Sequence, residues 1–330
     1  MKLPINGFLL GLIVSIGAAW IFPDIGARGG ILKSEITTKL GVLAIFFFQG
    51  VLLPTEKLKK DILEWKLHLF VQIFNFIVIP LLAFSLVNLF AEYIEPELRI
   101  GFLFLSILPT TISTAVLFSS LAGGNVGGAI FNTSLSNILG VFIVPTCSAW
   151  LLSSTTGQSI PLGPLLAKIV VLILLPMIVG QAFRPFLKDL AQSYKKGIGR
   201  FNMGMIFYML YVAFCGSVKS GVWKEQGLSI VMSSLIISVI LLMIAKGLAF
   251  GGIKLLKFNH PVGITAFFCA SQKTLAAGVP MATSIFTTFN NSINAPELSL
   301  VLLPLMCYHP LQILIGGFLI SFLKKANPLS

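Results

Sequence analysis

Midway through an apolar run that covers residues 99–122, the chain reads Leu108-Pro109-Thr110-Thr111-Ile112-Ser113-Thr114-Ala115. Pro109 has no N–H and its ring clashes with the preceding turn, so it frees backbone groups of any helix that passes this point. Inside a bilayer these groups and the hydroxyls need partners, which an ion, a solute or water can supply. The stretch predicts a helix interrupted at membrane depth. A proline kink satisfied by hydroxyl back-bonding is the structural alternative.

A second polar interruption lies in the apolar run 261–288, which reads Cys269-Ala270-Ser271-Gln272-Lys273-Thr274 and continues to Pro280. Lys273 lies near the middle of this run, whereas Lys168 and Lys246 lie close enough to the ends of theirs to extend their amines to the lipid headgroups. An ionisable residue at the centre of the bilayer is costly and is a functional candidate by default. A lysine that points into a wet internal crevice for structural reasons is the alternative.

The composition makes lipid the main solvent of this chain. Hydrophobic residues make up 56% of it and charged residues 10%, against about 25% charged residues in soluble proteins. The net charge of +12 comes from basic residues in short loops between apolar runs, a distribution typical of membrane proteins and not of a nucleic-acid partner. The four cysteines are widely separated and form no CxxC or Cys/His cluster, which indicates neither a disulfide framework nor a metal site.

A helix needs roughly 20 mainly apolar residues to cross the hydrocarbon core. Ten segments of the chain meet this requirement: 5–23, 37–54, 66–90, 99–122, 126–151, 162–183, 201–218, 226–250, 261–288 and 298–323. The first could be read as a signal peptide, but the later spans and the lack of a small-residue cleavage site favour a transmembrane helix. The predicted fold is all-α and polytopic, because unpaired strand edges are too costly in lipid.

The basic residues of the loops predict the orientation. Thirteen of them lie on the side of the N-terminus and six on the opposite side. By the positive-inside rule, both termini face the cytoplasm and the chain is a multi-pass protein of the plasma (inner) membrane. The first group comprises Lys2, Lys57, Lys59, Lys60, Arg184, Lys188, Lys195, Lys196, Arg200, Lys254, Lys257, Lys324 and Lys325.

The two halves of the chain, residues 1–155 and 156–330, repeat one another at a roughly constant offset. Pro145 and Pro310 lie in the fifth and tenth spans, and the two polar interruptions fall in the fourth and ninth. Five spans per copy is an odd number, so the second copy enters the membrane upside down. Inverted repeats with broken helices in matching positions are typical of secondary transporters and point to the binding site.

Polar side chains on neighbouring spans predict one binding site around the two interruptions. In the fifth span, Asn132 and Ser136 are four residues apart, as are Thr133 and Asn137, so these groups occupy adjoining strips of one helix face. Hydrogen bonding between helices is the alternative. The predicted solute- and ion-binding residues are Gln72, Asn75, Thr110, Thr111, Ser113, Thr114, Asn132, Thr133, Ser136, Asn137, Ser271, Gln272, Lys273 and Thr274.

The chain has no acidic residue at mid-depth of a predicted span. All eleven aspartates and glutamates lie in predicted loops or at span edges. A cation site there has only hydroxyl, amide and carbonyl oxygens as ligands, and the Lys273 ammonium adds repulsion. The residues therefore predict no conventional carboxylate-anchored sodium site.

The ten spans resemble those of the bile acid–sodium symporter superfamily, and so do the polar stretches at 109–114, 131–137 and 271–275 and the turn Gly123-Gly124-Asn125. The chain looks closest to the SBF-like branch, to which the vertebrate solute carrier family 10 member seven belongs. This resemblance implies a panel domain of spans 1, 2, 6 and 7 and a core domain of spans 3–5 and 8–10. It also implies that spans 4 and 9 are unwound and cross beside the solute crevice.

The resemblance further implies where sodium is held in sodium-coupled relatives: by polar groups of spans 4, 5 and 9, by a glutamate in span 9 and by a glutamine in span 3. Asn75 stands at the position of that glutamine, and Thr114 and Thr133 fall near other ligand positions. Ala115 and Ala129 replace polar residues of the family, and Ser271-Gln272-Lys273 occupies the stretch where the glutamate is absent.

These observations predict a secondary transporter, and not an enzyme, that moves a small anionic organic solute by alternating access. Lys273 either substitutes for a coupling cation, or attracts the solute, or couples transport to protons, since burial disfavours the charged form of lysine. No cofactor is expected, with Na+ or H+ as the candidate coupling ion. The expected partners are the solute and membrane lipid, and the sequence sets no oligomeric state.

Other functions stay open. One is a sodium-coupled organic-anion symporter with neutral oxygen ligands. A channel needs a continuous polar stripe, whereas the polar residues here are clustered. An intramembrane enzyme needs a catalytic dyad, and the chain has no HExxH, central aspartate pair or Ser–His pair. A non-transporting membrane sensor or scaffold with a transporter fold has no sequence feature against it.

Overall fold

The computed structural model describes residues 5–53, 64–156, 167, 170–221, 223–286 and 297–325. Every regular element in these ranges is helical, which confirms the all-α prediction for the part described. Some predictions concern residues outside these ranges. They are the loop lysines Lys2, Lys57, Lys59 and Lys60, the position of Lys168, and the beginning of the predicted sixth span.

The first half of the chain contributes eight labelled helices. A π-helical turn, Phe74–Val78, joins the fourth of them directly to the fifth. The helices are α1 (Ile5–Ile21), α2 (Pro23–Gly26), α3 (Ser34–Leu52), α4 (Trp65–Ile73), α5 (Ile79–Leu89), α6 (Pro96–Ile107), α7 (Ile112–Ala122) and α8 (Val126–Thr156).

The second half contributes six labelled helices. A second π-helical turn, Val170–Leu174, leads into the first of them. The helices are α9 (Leu175–Ser193), α10 (Lys195–Ser220), α11 (Trp223–Leu255), α12 (His260–Ser271), α13 (Leu275–Phe286) and α14 (Leu298–Lys325).

Eight segments among the described residues are long and apolar enough to cross a membrane. One of them joins α12 and α13 into a single stretch, His260–Phe286. The pair α6 and α7 meets the same criteria together but is bent by 56° at its break, and α1 is a shorter apolar helix. The prediction of a multi-pass integral membrane protein is therefore confirmed.

Helices α1, α3, α9 and α10 pack on one another along one side of the molecule. The closest approach is between α3 and α9, where two glycines bring backbones into contact. A Cβ on Gly50 would lie 2.1 Å from the Met177 carbonyl oxygen, and one on Gly180 would lie 2.1 Å from the Phe47 carbonyl oxygen. Helices α4–α8 and α11–α14, which contain both polar interruptions, pack beside them, and α10 also contacts α13 and α14.

The first break, residues 108–111, has a local cause in its proline. A residue before proline is disfavoured in the α conformation, and Leu108 is extended at φ −66° and ψ 147°. The chain re-enters a helix after Thr111, which is also extended. Helix α7 then ends at Gly123, whose φ of +87° is a left-handed conformation that glycine adopts at little cost.

The second break, residues 272–274, follows a helix that is well defined at its start. The Asn259 side chain caps α12 by accepting a hydrogen bond from the Val262 N–H at 3.0 Å. Helix α12 ends at Ser271, and Gln272 is extended at φ −108° and ψ 148°. The chain returns to helix at Leu275. Both predicted interruptions thus coincide with gaps between helices.

Candidate functional site

The two breaks contact each other through their backbones. The Thr274 N–H donates to the Pro109 carbonyl at 2.9 Å. Glycines on the adjoining helices allow this close packing: a Cβ on Gly140 would lie 2.8 Å from the Pro109 ring, and one on Gly278 would lie 2.7 Å from the Leu108 side chain. The backbone groups of both breaks, which have no helical partners, therefore lie together inside the protein.

Lys273 lies at the centre of this region and is 0% exposed. Its Nζ donates to three backbone carbonyl oxygens, those of Asn75 at 2.9 Å, Ser106 at 2.6 Å and Leu108 at 2.8 Å. A protonated lysine has three N–H donors and no acceptor. The number of donors equals the number of oxygens, so the carbonyl cage is complete for an ammonium ion.

These carbonyls are free because of where they lie in the chain. The last carbonyls of a helix have no partner within the helix, and they carry the negative end of its dipole. Ser106 and Leu108 are at the carboxyl end of α6, which stops at the first break. Asn75 lies in the π-helical turn Phe74–Val78, where the ordinary helical pairing is shifted. The cage is thus made of backbone carbonyl oxygens, the kind of acceptor that suits a positively charged donor.

Polar side chains of α14 satisfy the backbone of the second break. Gln312 accepts from the Lys273 N–H at 2.8 Å and donates to the Lys273 carbonyl at 2.7 Å. The Tyr308 hydroxyl donates to the Ser271 carbonyl at 3.2 Å. Sequence reasoning missed both residues. The sequence did contain a signal for Gln312, since it is a lone amide inside the apolar run of the last span. A buried amide needs hydrogen-bond partners, which marks it as a candidate for a polar site.

Side chains of α8 satisfy the first break in the same manner. The Thr110 N–H donates to Ser136 Oγ at 3.2 Å, and Asn137 Nδ2 donates to the Thr110 carbonyl at 3.0 Å. Asn137 Oδ1 in turn accepts from Gln49 Nε2 at 3.2 Å. Gln49 belongs to α3, so this contact joins the two groups of helices. Sequence reasoning had not placed Gln49 at the site.

Two further contacts link spans across the breaks. Thr114 Oγ1 on α7 donates to Gln272 Oε1 at 2.7 Å, and Asn75 Nδ2 donates to the Cys269 carbonyl of α12 at 3.1 Å. Three buried atoms of the same residues, Asn75 Oδ1, Thr110 Oγ1 and Gln272 Nε2, have no hydrogen-bond partner. A buried polar atom without a partner costs about 1–3 kcal/mol, so these three atoms have hydrogen-bonding capacity that the protein itself leaves unused.

Other predicted residues make local contacts. Gln72 Nε2 donates to the Asn132 carbonyl at 3.2 Å, and Asn132 Nδ2 lies 3.0 Å from His68 Nδ1. Thr133 Oγ1 donates to the Ala129 carbonyl of its own helix at 2.8 Å. Ser113 is exposed on α7. Thr111 and Thr274 are buried at the ends of the two breaks, and Ser271 is buried at the end of α12.

The expectation that Lys246 reaches the lipid headgroups is wrong. Its side chain is 4% exposed, and its Nζ donates to Ser271 Oγ at 3.2 Å. The reason is the length of α11, which extends to Leu255 and beyond the predicted span at both ends. Nine residues separate Lys246 from Leu255, which is about 13 Å along a helix axis. That distance exceeds the reach of a lysine side chain.

Buried basic side chains are not matched by buried carboxylates in the described part of the chain. The buried polar side chains there include Lys246, Lys273 and Arg184 but no aspartate or glutamate. Two ion pairs of the described region, Arg28 with Glu35 and Lys219 with Asp24, lie among exposed side chains. Within the ranges described, no cluster of histidine, cysteine or acidic residues could hold a metal ion.

Comparison with known proteins gives one consistent family. The SBF-like CPA transporter family matches residues 6–325. The sodium/bile acid cotransporter 7 of Xenopus tropicalis is 32% identical over 321 residues, which cover 96% of this chain and 91% of that protein. The protein of the same name from Rattus norvegicus is 30% identical, with coverages of 96% and 92%.

A bacterial relative leads to the same conclusion. The putative symporter YfeH of Escherichia coli (strain K12) is 32% identical over 322 residues, which cover 97% of this chain and 93% of that protein. The family resemblance expected from the sequence motifs is confirmed, and with it a membrane transporter assignment. The chain belongs to the SBF-like CPA transporter family.

Proposed function

We propose that this protein is a secondary active transporter of a small anionic organic solute, in which Lys273 takes the place of a coupling cation. The observation that carries the proposal is the cage of three carbonyl oxygens, which lie 2.6–2.9 Å from the Lys273 Nζ. Secondary transporters hold coupling cations with unwound carbonyls and half-helix carboxyl ends. Here a covalently attached ammonium occupies such a place.

The same cage favours cation substitution over the two other roles of Lys273. All three N–H donors are used by backbone oxygens, so none is left to bind a solute directly. Loss of a proton would leave one buried carbonyl without a donor, which is costly. Lys273 therefore acts as a fixed charge, which attracts an anion through its field and does not touch it.

The proposed architecture has ten spans in two inverted repeats, residues 1–155 and 156–330. The bent pair α6–α7 is span 4 and α12–α13 is span 9, with α1 as a short first span. The panel domain consists of α1, α3, α9 and α10, and the core domain of the helices from α4 to α8 and from α11 to α14. Both termini face the cytoplasm across the plasma (inner) membrane, as the loop charges favour.

Alternating access is proposed as motion of the core against the panel. The Gln49–Asn137 hydrogen bond, at 3.2 Å, joins α3 of the panel to α8 of the core directly beside the first break. We place the solute near this junction, where the unpartnered Thr110 Oγ1 and Gln272 Nε2 lie in the two breaks. The fourteen predicted binding residues remain the proposed lining. Two relatives are named for sodium and bile acid, which supports an organic anion as the solute class.

Uptake into proteoliposomes tests this function. The probes are radiolabelled taurocholate, benzoate and succinate, each offered in sodium chloride and in choline chloride. Wild-type protein should take up one of them saturably, with counter-exchange and at the same rate in both salts. Lys273→Met should lose at least nine-tenths of that rate, and Lys254→Met, an exposed lysine on α11, should keep it. Unchanged uptake by Lys273→Met would remove the assigned role.

One observation favours a second candidate, a sodium-coupled symporter with neutral oxygen ligands. Asn75 Oδ1 and Thr110 Oγ1 are buried oxygens without partners, and oxygen is the ligand type that hard cations take. Under this alternative, wild-type uptake stops in choline and rises with sodium concentration. A protein that takes up none of the three probes and exchanges none of them would favour the sensor or scaffold.

A further inference from the structure

The proposed function leaves a second buried lysine unused. Lys246 lies on α11, 4% exposed, and its Nζ makes one hydrogen bond, to Ser271 Oγ at 3.2 Å. Ser271 Oγ donates its own proton to the Phe267 carbonyl at 2.7 Å, so a lone pair of the hydroxyl is directed at the amine. A buried amine with so little hydrogen bonding needs another source of stabilisation.

Two features of the surroundings favour a positive charge at this position. The Lys246 Nζ lies 4.8 Å from the centre of the Phe267 ring and 6.0 Å from that of Phe268, within the range of cation–π attraction. Ser271 is the last residue of α12, a helix of 12 residues that ends at the second break. The carboxyl end of a helix carries the negative end of its dipole. Lys246 therefore faces a negative helix end and two aromatic rings.

The position of Lys246 parallels that of Lys273. Lys273 donates to carbonyls at the carboxyl end of α6, and Lys246 donates to the side chain of the residue that ends α12. These are the two helices whose carboxyl ends lie at the two breaks. Each such end is thus met by a lysine amine from elsewhere in the chain.

We propose that Lys246 is a second resident cation of the transport core, which neutralises the carboxyl end of α12 as Lys273 neutralises that of α6. Neither break then requires an inorganic cation. The reading of Lys246 as part of a transport cycle rests on the proposed function, whereas its electrostatic role at α12 does not. Lys246 is a positioning residue, since it acts through Ser271 and the helix end.

Chemical rescue separates charge from packing. Lys246→Ala removes three carbons and the ammonium, which propylammonium replaces atom for atom. The experiment follows thermal unfolding of the full chain in detergent by intrinsic fluorescence, in propylammonium chloride, in choline chloride and with added 1-propanol. The matched control is Lys254→Ala on the same helix, because the Lys254 Nζ also lies 4.8 Å from a ring centre, that of Phe250, but its side chain is exposed.

We expect Lys246→Ala to lower the Tm by about 2–4 °C, a shift that corresponds to the loss of a well-placed charge at a helix end in a chain of this size. Propylammonium should restore at least half of this loss, 1-propanol should restore none, and Lys254→Ala should match wild type. Equal rescue by 1-propanol, or no rescue by either compound, would overturn the proposal. If Lys246→Ala does not fold, the comparison of Lys246→Arg with Lys246→Met tests the proposal instead. The proposal is supported if the arginine variant folds and the methionine variant does not, and any other pattern contradicts it.

This test does not depend on the solute, so it can fail separately from the proposed function. Uptake that is unaffected by Lys273→Met contradicts the transport role of Lys273 and leaves the rescue of Lys246→Ala unaffected. Rescue by the neutral alcohol contradicts the charge of Lys246 and leaves the carbonyl cage of Lys273 in place.

Discussion

Replacement of Lys273 by methionine should destabilise the folded protein more than any other change of a single charged residue in the described region. Methionine keeps most of the volume of the side chain and removes its three donors. The carbonyls of Asn75, Ser106 and Leu108 then lose their partner while they stay buried. Each carbonyl left without a partner costs about 1–3 kcal/mol. Part of the total cost of the three carbonyls is offset, because the variant no longer has to take an ammonium out of water.

The net loss should be about 3–5 kcal/mol, the lower part of the sum for three orphaned carbonyls, because the ammonium no longer has to be desolvated. For a chain of this size, that loss lowers the Tm on the order of 10 °C. The assay is thermal unfolding in detergent at one fixed heating rate, with Lys254→Met as the control. A Lys273→Met protein that unfolds within 2 °C of wild type, on the order of the shift for 1 kcal/mol, would refute the cage as a stabilising cation site.

The same cage predicts a response to sodium. Lys273→Ala leaves three carbonyl oxygens around an empty volume, so Na+ should stabilise this variant and leave wild type unchanged. A ligand present at 100 times its Kd stabilises by about 2.7 kcal/mol. The comparison is the Tm in sodium chloride against that in choline chloride over a range of concentrations. A sodium-induced shift of the same size in wild type would contradict occupation of the cage by the lysine.

Three further outcomes are expected. Gln312→Leu leaves the N–H and carbonyl of the second break without partners and should lower the free energy of unfolding by about 2–4 kcal/mol, measured as a Tm shift against wild type. Gly180→Ala places a Cβ 2.1 Å from a backbone oxygen and should abolish a monodisperse gel-filtration peak, which Gly204→Ala, with open space around it, should keep. Asn259→Ala removes the cap of α12 and should cost about 1 kcal/mol by the same thermal assay.

The sequence predicted the breaks and the central lysine because both follow from chemistry that is local to the chain. Pro109 forces its predecessor out of the helical conformation wherever it stands, and the first break begins at Leu108. Lys273 lies far from either end of its apolar run, so no orientation of the helix could bring its amine to the headgroups. Burial of that amine required no knowledge of the neighbouring helices.

The partners of these groups were not predictable in the same way. Gln312 was not selected because a single amide in an apolar run gives no sign of which backbone it will meet, and its partner lies 39 residues away in the chain. Lys246 was misplaced because the helix continues past the end of the apolar run. Ser113 was included on the density of hydroxyls alone, although adjacent residues on a helix point in directions about 100° apart. Thr114, the next residue, is the one that reaches Gln272.

The distribution of hydrogen bonds bears on which part of the molecule can move. Both breaks are tied within the core: to each other by Thr274 and Pro109, and to α14 by Gln312. Separation of the breaks would expose several backbone groups at membrane depth, where no water is available to replace their partners. The Gln49–Asn137 contact, by contrast, joins two side chains on the boundary with α3 and breaks at the cost of a single amide pair. Under the proposed alternating access, we therefore infer that the breaks would travel as one unit together with Lys273, and that the movement would take place at the α3 boundary.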